Sequence, residues 1–424
     1  MKNIIQSVKG TREFYPPEMA LRNWLYEHLC QVSRSFGYQE YDGPFLESID
    51  LYAAKSGEEL VKEQSFVFPD RGGNLITLRP ELTPSLARMV AQRQSQLVYP
   101  LRWWSFGPFW RYEKPQKGRT REFFQWNIDL IGVDSPEGDA ELIAIAAEFF
   151  KVVGLSSNQV KIMVNDRRLV NVQLTKLGVQ DSDQKHKVLG LIDRKDKLPQ
   201  VEWEAYVLES GFSLSQMEGL KSLLDDKQGY QQSAEMLRLF AALKALGVEE
   251  YVVYDARIVR GLDYYTGTVF EARDVSESAR AILGGGHYDN LVEDVGGSPL
   301  PAVGFAMGDV VLPLILEQFG KLPELELTPA DFLVTVFDQE CLAYSFAIAA
   351  QLRANGIAAA VYPEAAKIGK QFKYADRLGV PFVIVAGPEE REQQAVQVKN
   401  LKSGGQQLVS LKDLVSLART LLAR

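Results

Sequence analysis

The stretch that most limits how this chain can fold is "GPFWRYEKPQKGRTREFFQWNIDLIG", residues 107–132. It predicts two strands joined by the loop 114–120. Because side chains alternate between the two faces of a strand, the polar and apolar residues separate. One face would carry Phe109, Arg111 and Glu113 with Phe123, Gln125, Asn127 and Asp129, and the other Trp110 and Tyr112 with Phe124, Trp126, Ile128 and Leu130. The second face is apolar enough for a core, whereas the first carries charges that are costly to bury without partners. A solvated face is the alternative, but the flanking Phe109 and Phe123 favour a lined pocket.

The composition excludes several classes of protein. The chain has 424 residues, of which 46% are hydrophobic and 24% charged, as in a globular protein of two or three domains. No run approaches the roughly 18 apolar residues of a membrane span, and the N-terminal residues lack a secretion signal, so we expect a cytosolic protein. Cys30 and Cys341 should be buried apolar residues, and His28 and His186 structural. With His287 they show no metal-ligand spacing, so no metal site is expected.

The distribution of charge points to a polyanionic partner at two places. A net charge of −8 argues against indiscriminate binding of nucleic acid. Residues 102–121, however, carry six basic side chains against Glu113 alone, and residues 330–424 carry 11 basic and 9 acidic side chains. These two regions could accept a polyanion that the remainder would repel.

Breaks in the pattern predict the domain organisation. Residues 331–424 alternate strand and helix patterns, which predicts a small α/β domain with parallel strands, joined by a linker at 321–330. Residues 165–250 are mostly helical and charged and predict an insertion. The body, residues 1–164 and 251–320, predicts an α+β domain with an antiparallel sheet flanked by helices.

Three further fragments leave alternatives open. In "TLRPELTPSLARM" (77–89) we expect Thr83 to be a helix N-cap and Pro84 the first helical residue, and Glu81 alone needs no role beyond complementing the helix dipole. "LGGGHYDNL" (283–291) could be only a tight turn, because a lone glycine run is weak evidence for a phosphate cradle. In "RGLDYYTG" (260–267), Arg260 could pair with Asp255 or Asp263, or meet the anion of a ligand.

Together these motifs resemble the class II aminoacyl-tRNA synthetases and, within them, the histidyl-tRNA synthetase family. "FGYQEYDGPFLES" (36–48) is similar to the first class II motif, a dimer-forming helix and strand ending at Pro44, and "FWRYEKPQKGRTREFF" (109–124) to the second. "IVRGLDYYTG" and "LGGGHYDNL" are similar to the two signatures of the histidine enzymes. "KQFKYADRLGVPFVIVAG" (370–387) resembles their anticodon-binding domain. The resemblance runs nearly end to end and is weakest across 165–250.

The resemblance implies ATP-dependent ligation of L-histidine to its cognate tRNA through histidyl adenylate, by a homodimer with Mg²⁺ accompanying ATP. Activation joins a carboxylate to a phosphate, so fixed cations must neutralise the charge that develops at phosphorus. Arg111 is implied to grip the α-phosphate and the amino-acid carboxylate. Arg260 is implied to approach from the opposite side, with Gly261 allowing the backbone close access.

The resemblance also implies a set of binding residues. Glu81, Thr83 and Gln125 would hold the ammonium group of histidine, Asp129 and Tyr264 would bracket the imidazole ring, and Tyr265 and Tyr288 would close the pocket. Glu113 would receive the adenine amino group of ATP, Phe123 would stack beneath the ring, Arg119 would reach the outer phosphates, and Gln116 would meet the acceptor end of the tRNA. Buried hydrogen-bonding groups reject an apolar competitor, which is why an acid at position 129 matters.

One position departs from the family pattern. After "GFAMG" (304–308), the third class II motif normally continues to an arginine that packs over adenine by a cation–π contact. This chain continues with Asp309, Val310 and Val311. Either another cation or an apolar lid from Val311 would then hold ATP, or the nucleotide site would be weaker.

Two other functions compete with this interpretation. A non-charging, histidine-binding regulatory relative should lack the C-terminal domain and lose Arg111 or Arg260, whereas this chain keeps all three. An unrelated α/β nucleotide-binding enzyme would require the order of the motifs to be a coincidence.

Overall fold

The computed structural model describes residues 4–53, 63–116, 118–195, 198–259, 264–276, 281–325 and 327–423. The chain divides into one unit of residues 1–15 and 21–323 and another of residues 16–20 and 324–424. The strands described up to residue 323 are β1 (Gln39–Glu40), β2 (Leu46–Ser48), β3 (Phe66–Pro69), β4 (Leu75–Leu78), β5 (Leu101–Trp110), β6 (Glu122–Ile131), β7 (Val160–Asp166), β8 (Val252–Tyr254), β9 (Thr268–Asp274), β10 (Leu283–Tyr288) and β11 (Ala302–Gly308). The helices described in the same part of the chain are α1 (Pro16–Ser35), α2 (Asp50–Ala53), α3 (Thr83–Arg93), α4 (Pro136–Val152), α5 (Arg167–Lys176), α6 (Ser182–Arg194), α7 (Gln200–Glu209), α8 (Leu214–Asp225), α9 (Ala234–Ala245), α10 (Leu291–Asp294) and α11 (Val311–Gln318).

An eight-stranded sheet forms the centre of the first unit, in the order β1-β5-β6-β11-β10-β9-β7-β8. Its inner pairs are antiparallel, and the two edge pairs, β1–β5 and β7–β8, are parallel. Strands β2, β4 and β3 form a separate antiparallel sheet. The predicted antiparallel sheet flanked by helices is confirmed.

The β5–β6 hairpin has the predicted alternation but a longer loop. Phe109 pairs with Phe123 in the strand register, β5 ends at Trp110 and β6 begins at Glu122, so the loop runs over 111–121 instead of 114–120. Arg111 N–H still donates to the Arg121 carbonyl, at 2.9 Å, but Tyr112 N–H donates to the Gln64 carbonyl instead of across the hairpin. The chain therefore leaves the sheet at Arg111.

Helix α4 covers one face of this sheet. Ser135 caps it by accepting from Gly138 N–H at 3.1 Å, and Pro136 begins the helix, where a missing N–H costs nothing. Its long run of buried residues packs on the apolar side of the hairpin: Trp126 lies 5.4 Å from Phe149 and 5.0 Å from Phe305 between ring centroids. This core fixes β6, and with it the polar side chains on the opposite face.

The segment between β7 and β8 is helical, from α5 to α9, and α9 packs against α4. Capping explains where several of these helices start. Asp166 accepts from the backbone N–H groups of Arg168 and Leu169 at the start of α5, and Ser213 forms a capping box with Gln216 at the start of α8.

One local prediction is wrong, and one alternative that the sequence left open is excluded. Thr83 is the first residue of α3, and Leu82 occupies the N-cap without a side-chain cap bond, because helical backbone begins one residue earlier than expected. "LGGGHYDNL" is not a tight turn: residues 283–288 form β10, which is buried between β9 and β11. Glycine is required there by close packing, since a Cβ at Gly285 would collide with the Gly304 carbonyl oxygen.

The second unit has its own five-stranded sheet, in the order β13-β12-β14-β15-β16. Its elements are β12 (Phe332–Val334), α12 (Leu342–Ala354), β13 (Ala359–Val361), α13 (Ile368–Arg377), β14 (Phe382–Val385), α14 (Pro388–Glu392), β15 (Ala395–Asn400), β16 (Gln406–Ser410) and α15 (Leu414–Leu422). Strands β12, β13 and β14 are parallel as predicted, but β15 and β16 add an antiparallel pair that the sequence pattern did not predict. Cys30 and Cys341 are both buried and unpaired, as expected.

Within the described part of the chain, no helix is both long and apolar enough to cross a membrane.

Candidate active site

The exit of the hairpin brings Arg111 to the segment that precedes α3. Its Nε donates to the Pro80 carbonyl at 3.0 Å, and its guanidinium lies 5.4 Å from the centroid of the Phe123 ring. Phe123 stacks in turn on Phe109, at 6.1 Å. The next residue after Pro80 is Glu81, which is buried. Arg111 therefore contacts the segment before α3 that carries the buried Glu81.

A buried carboxyl group lies deeper on the same face of β6. Asp129 is 4% exposed, and within the described residues its one hydrogen bond comes from the Tyr288 hydroxyl, at 2.9 Å. Gly304 lies opposite in β11, where a Cβ would collide with Asp129 Oδ1, so the glycine makes room for the carboxyl group. Burial raises the pKa of Asp129 to about 7, although the bond from Tyr288 lowers it. The group can therefore gain or lose a proton near neutral pH.

Three tyrosines surround this carboxyl group. The ring of Tyr264 lies 4.8 Å from that of Tyr265 and 5.9 Å from that of Tyr288. Burial is the main reason that the pKa of Tyr264 lies well above the ordinary value; Tyr265 and Glu81 raise it further, while Thr83 lowers it. The structure thus groups six of the predicted residues around one pocket: Glu81, Thr83, Asp129, Tyr264, Tyr265 and Tyr288.

A second cavity, of about 190 Å³, opens where the hairpin leaves the sheet. It is lined by Arg111, Glu113, Gly118, Arg119, Thr120, Phe123, Gln125, Ala281, Ile282, Gly308, Val310 and Val311. Inside it Arg119 forms an ion pair with the buried Glu113. Five predicted site residues line this cavity, and Gln116 lies beside it at the tip of the loop, where its backbone pairs with that of Arg119. Arg260, with Gly261 and Asp263, lies outside the described residues.

With this geometry established, comparison with known proteins decides the family. The model of the histidyl-tRNA synthetase family matches residues 10–309, and that of the anticodon binding domain matches residues 331–421. The chain belongs to the histidyl-tRNA synthetase family. The family and the fold inferred from the sequence motifs are both confirmed.

Relatives in this family match the chain over nearly its whole length. The chloroplastic/mitochondrial histidine--tRNA ligase of Arabidopsis thaliana is 39% identical over 96% of this chain and 85% of its own length. The histidine--tRNA ligase of Thermoplasma volcanium is 37% identical, over 97% of each chain. The crystal structure of histidyl-tRNA synthetase from Nostoc sp. PCC 7120 superposes with a TM-score of 0.82 at 25% identity, covering 99% of this chain and all of that one.

The residues that replace the third-motif arginine of the synthetases serve different purposes. Asp309 is a structural anchor, because it pairs with Arg12 at 2.8 Å and accepts from Phe124 N–H at 2.9 Å. Burial raises the pKa of Asp309, while Arg12 and the Phe124 N–H oppose that shift. Val310 and Val311 line the second cavity, where the cationic side chains from the described residues are Arg111 and Arg119. Among the described residues, Val310 and Val311 therefore form an apolar wall of the cavity at this position.

Two charged groups near the site escaped prediction from the sequence. Arg79 is fully buried, where it donates to Asp42 at 2.6 Å and to the Pro108 carbonyl at 3.0 Å, beneath the ring of Phe109. His287, beside Tyr288, contacts Asp139 through Nδ1 at 2.8 Å and Asp289 through Nε2 at 3.1 Å. The burial of Arg79 had no signal in the sequence, since a lone Arg is usual on a protein surface. His287 belongs to the "LGGGHYDNL" motif, but its contacts with the two carboxylates had no signal there.

Proposed function

We propose that this protein joins L-histidine to its cognate tRNA in two steps, through histidyl adenylate. The carboxylate of histidine attacks the α-phosphate of ATP, pyrophosphate leaves, and a ribose hydroxyl at the acceptor end of the tRNA then takes the histidyl group with release of AMP. The observation that carries this proposal is the buried Asp129, held by Tyr288 among Tyr264 and Tyr265 on the strand face that also lines the second cavity. An acid in a pocket of phenols offers the partners that an imidazole ring requires.

Histidine is held at both of its ends in this proposal. Its ammonium group meets Glu81, with Thr83 and Gln125 as further polar contacts, and its imidazole ring lies against Asp129 and Tyr264. Tyr265 and Tyr288 close the pocket around the ring. An amino acid with an apolar side chain would leave these buried groups unpaired, which costs far more affinity than a lost methylene contact.

ATP occupies the second cavity. Phe123 lies beneath adenine, Glu113 accepts from the adenine amino group, and Val311 forms the apolar wall on the cavity's other side. In the structure Arg119 is paired with Glu113, so nucleotide binding must exchange that ion pair for contacts of Arg119 with the outer phosphates. Mg²⁺ accompanies ATP and reduces the charge of its phosphates.

Two arginines stabilise the transition state for adenylate formation. Arg111 is oriented by the Pro80 carbonyl and by the Phe123 ring, between the two cavities. It grips the α-phosphate and the amino-acid carboxylate together, and a fixed guanidinium is well suited to two anionic oxygens. Arg260 approaches the same phosphate from the opposite side; this role rests on its motif alone.

The tRNA meets the protein at two places in this proposal. Gln116 and the basic loop 111–121 contact the acceptor end, and residues 331–424 bind the anticodon.

A homodimer is part of the proposal. It is supported by exposed apolar side chains on and beside the sheet of β2, β3 and β4: Phe45 at 45%, Leu46 at 50%, Phe68 at 41% and Leu75 at 53%. We also propose that the protein works in the cytoplasm, where it finds ATP and tRNA.

The non-charging regulatory alternative is not favoured. The anticodon-binding match and Arg111 are both present, and the histidine--tRNA ligases align along nearly the whole chain.

Amino-acid-dependent exchange of pyrophosphate into ATP tests this function. Histidine alone among the twenty amino acids should support exchange, and Arg111→Ala should abolish it. Arg257→Ala, which breaks a partly buried pair with Asp255, is the matched control and should exchange normally. Exchange with another amino acid, or full exchange by the Arg111 variant, would contradict the proposal.

A further inference from the structure

The segment that carries Tyr264 and Tyr265 is made of turns and irregular backbone. It runs from the end of β8 at Tyr254 to the start of β9 at Thr268, and its described residues belong to no helix or strand. Backbone carbonyls in such a segment have no ladder partners, so where they are buried other groups must bind them. The groups that hold this segment therefore decide where the two tyrosines lie.

The end of β7 and the start of α5 supply such groups. The Asn165 side chain is fully buried, and its Nδ2 donates to the carbonyls of Ala256 and Ile258, both at 3.1 Å. Two residues later, Arg167 begins α5, and its backbone N–H donates to the Gly267 carbonyl at 3.0 Å. Donors from one short stretch of chain therefore reach both ends of the segment.

The guanidinium of Arg167 joins the two ends of the segment. Its Nε donates to the Val259 carbonyl at 3.2 Å, and its Nη1 donates to the Tyr265 carbonyl at 2.8 Å. A guanidinium is planar and holds its N–H donors in a rigid fork, so two carbonyls bound to it keep a fixed separation. Arg167 thereby fixes the backbone of Tyr265 relative to Val259.

The backbone of Tyr265 in turn places both tyrosine rings. Tyr265 is buried, and a Cβ at Gly286 would lie 2.8 Å from Tyr265 Cδ1, so this ring packs directly against the backbone of β10. The Tyr264 ring meets the Tyr265 ring edge to face, with 4.8 Å between the centroids. A shift of the Tyr265 backbone would therefore displace the Tyr264 ring within the pocket.

We propose that Arg167 is a positioning residue for histidine binding, which holds this segment so that Tyr264 and Tyr265 meet the substrate imidazole. It acts through the Tyr265 carbonyl and does not itself touch the substrate. This inference rests on the proposed function, because it concerns the same histidine pocket, and it leaves every contact assigned to that pocket unchanged.

Histidine titration of the full chain by calorimetry tests the proposal on Arg167→Lys. Lysine keeps the positive charge but lacks the rigid fork, so it cannot hold both carbonyls in the same geometry. The dissociation constant for histidine should rise about tenfold. In pyrophosphate exchange, KM for histidine should rise likewise while KM for ATP does not change. Wild-type histidine affinity, or an equal rise in both KM values, would overturn the inference.

A double-mutant cycle tests whether Arg167 acts through Tyr264. Tyr264→Phe removes the hydroxyl that meets the imidazole ring and should itself weaken histidine binding. In that background Arg167→Lys should raise the dissociation constant by no more than about threefold, because there is no longer a hydroxyl to place. Two losses of affinity that simply multiply would contradict the inference.

Arg168→Lys is the matched control. Arg168 is the next residue of α5, and its guanidinium pairs with Asp166 at 2.7 Å. This variant makes the same exchange of guanidinium for ammonium and should bind histidine as the wild-type chain does. An equal loss of affinity in both variants would overturn the inference alone. No histidine binding by the wild-type chain would overturn the proposed function as well.

Discussion

At the level of single residues, the buried carboxyl group of Asp129 serves the proposed function at a cost to the stability of the fold. Its carboxyl group is buried with one donor, so burial favours the neutral form and the pKa rises from 3.8 to about 7. The folded protein thus holds a proton that the unfolded chain releases between these two values. The stability of the fold should therefore decrease as pH rises from about 4 to 7, and stay lowered above that range.

We predict that Asp129→Asn separates the two effects. At pH 8 the free energy of unfolding should increase by about 2 kcal/mol, because the variant no longer buries a charge. Histidine binding should be severely impaired, because the amide cannot replace the carboxylate as a charged acceptor. Denaturant unfolding at pH 5 and pH 8, with histidine titration on the same samples, measures both. A variant that is less stable than wild type at pH 8 would show that Asp129 is a structural acid.

The second prediction at this scale concerns Arg260. If it meets the reacting phosphate, Arg260→Ala should abolish pyrophosphate exchange while histidine affinity changes by no more than a few fold. The reason is that a group acting on transition-state charge contributes little to ground-state binding. Retained exchange would remove Arg260 from the mechanism.

How far single residues could be predicted from the sequence depended on periodicity. Alternation placed Gln125 and Asp129 on one face of β6, and the structure has them there. Arg111 lies just beyond β5 and lines the same cavity as Gln125. The position of Tyr41 could not be found in this way, because it follows β1 and packs on Trp103, a contact that only the fold creates. Buried Arg79 is a similar case, since its partners lie 29 to 37 residues away in sequence.

At the level of elements, His287 connects β10 to the first turn of α4. Its Nδ1 contacts Asp139 of α4, and its Nε2 contacts Asp289 just after β10. The exposed Asp134 lies 3.8 Å from the same Nε2. Arg168 of α5, which pairs with Asp166, also interacts electrostatically with Asp139. A neutral imidazole donates from one nitrogen only, so two carboxylates are satisfied together only by an imidazolium. Burial lowers the pKa of His287, but Asp139 and Asp289 outweigh it and the net pKa rises above 6.5.

The sign of this shift gives a third prediction. A raised histidine pKa contributes stability in full below 6.5, and that contribution is lost as pH rises through the higher folded value. His287→Gln should therefore reduce the free energy of unfolding by about 3 kcal/mol at pH 6, and by less at pH 9. Urea unfolding across this range measures the difference, and Asp134→Asn, which removes an exposed carboxylate, is the control that should change little. A difference that is constant with pH would contradict the imidazolium.

Apolar strands were easier to predict from the sequence than short polar strands. The β12, β13 and β14 strands are apolar runs flanked by clear helices, whereas β15, "AVQVKN", and β16, "QQLVS", contain more polar residues. They form because β14 offers an edge for antiparallel pairing. The glycines of β10 likewise suggest a turn until the packing against β11 is known.

At the level of the whole molecule, the two units have separate hydrophobic cores. One core cluster of the second unit is built from Phe332, Val334, Ile348, Leu352, Phe382 and Ile384 with their neighbours, and the largest core of the first unit contains Trp104, Trp126 and Phe149.

We predict that deleting residues 330–424 leaves histidine-dependent pyrophosphate exchange intact and weakens tRNA charging at least tenfold. The expected loss reflects anticodon contacts alone, and undiminished charging would show that this unit has another role.

Transfer of histidine to tRNA is the measurement that tests the central claim most directly. Full-length protein, ATP, Mg²⁺ and labelled histidine would be incubated with a transcript of the histidine tRNA, and acid gels would separate charged from uncharged tRNA. The account predicts labelled histidine on this transcript and none on a transcript for another amino acid. Adenylate formation without any charged tRNA would contradict it and identify a histidine-activating protein that does not serve translation.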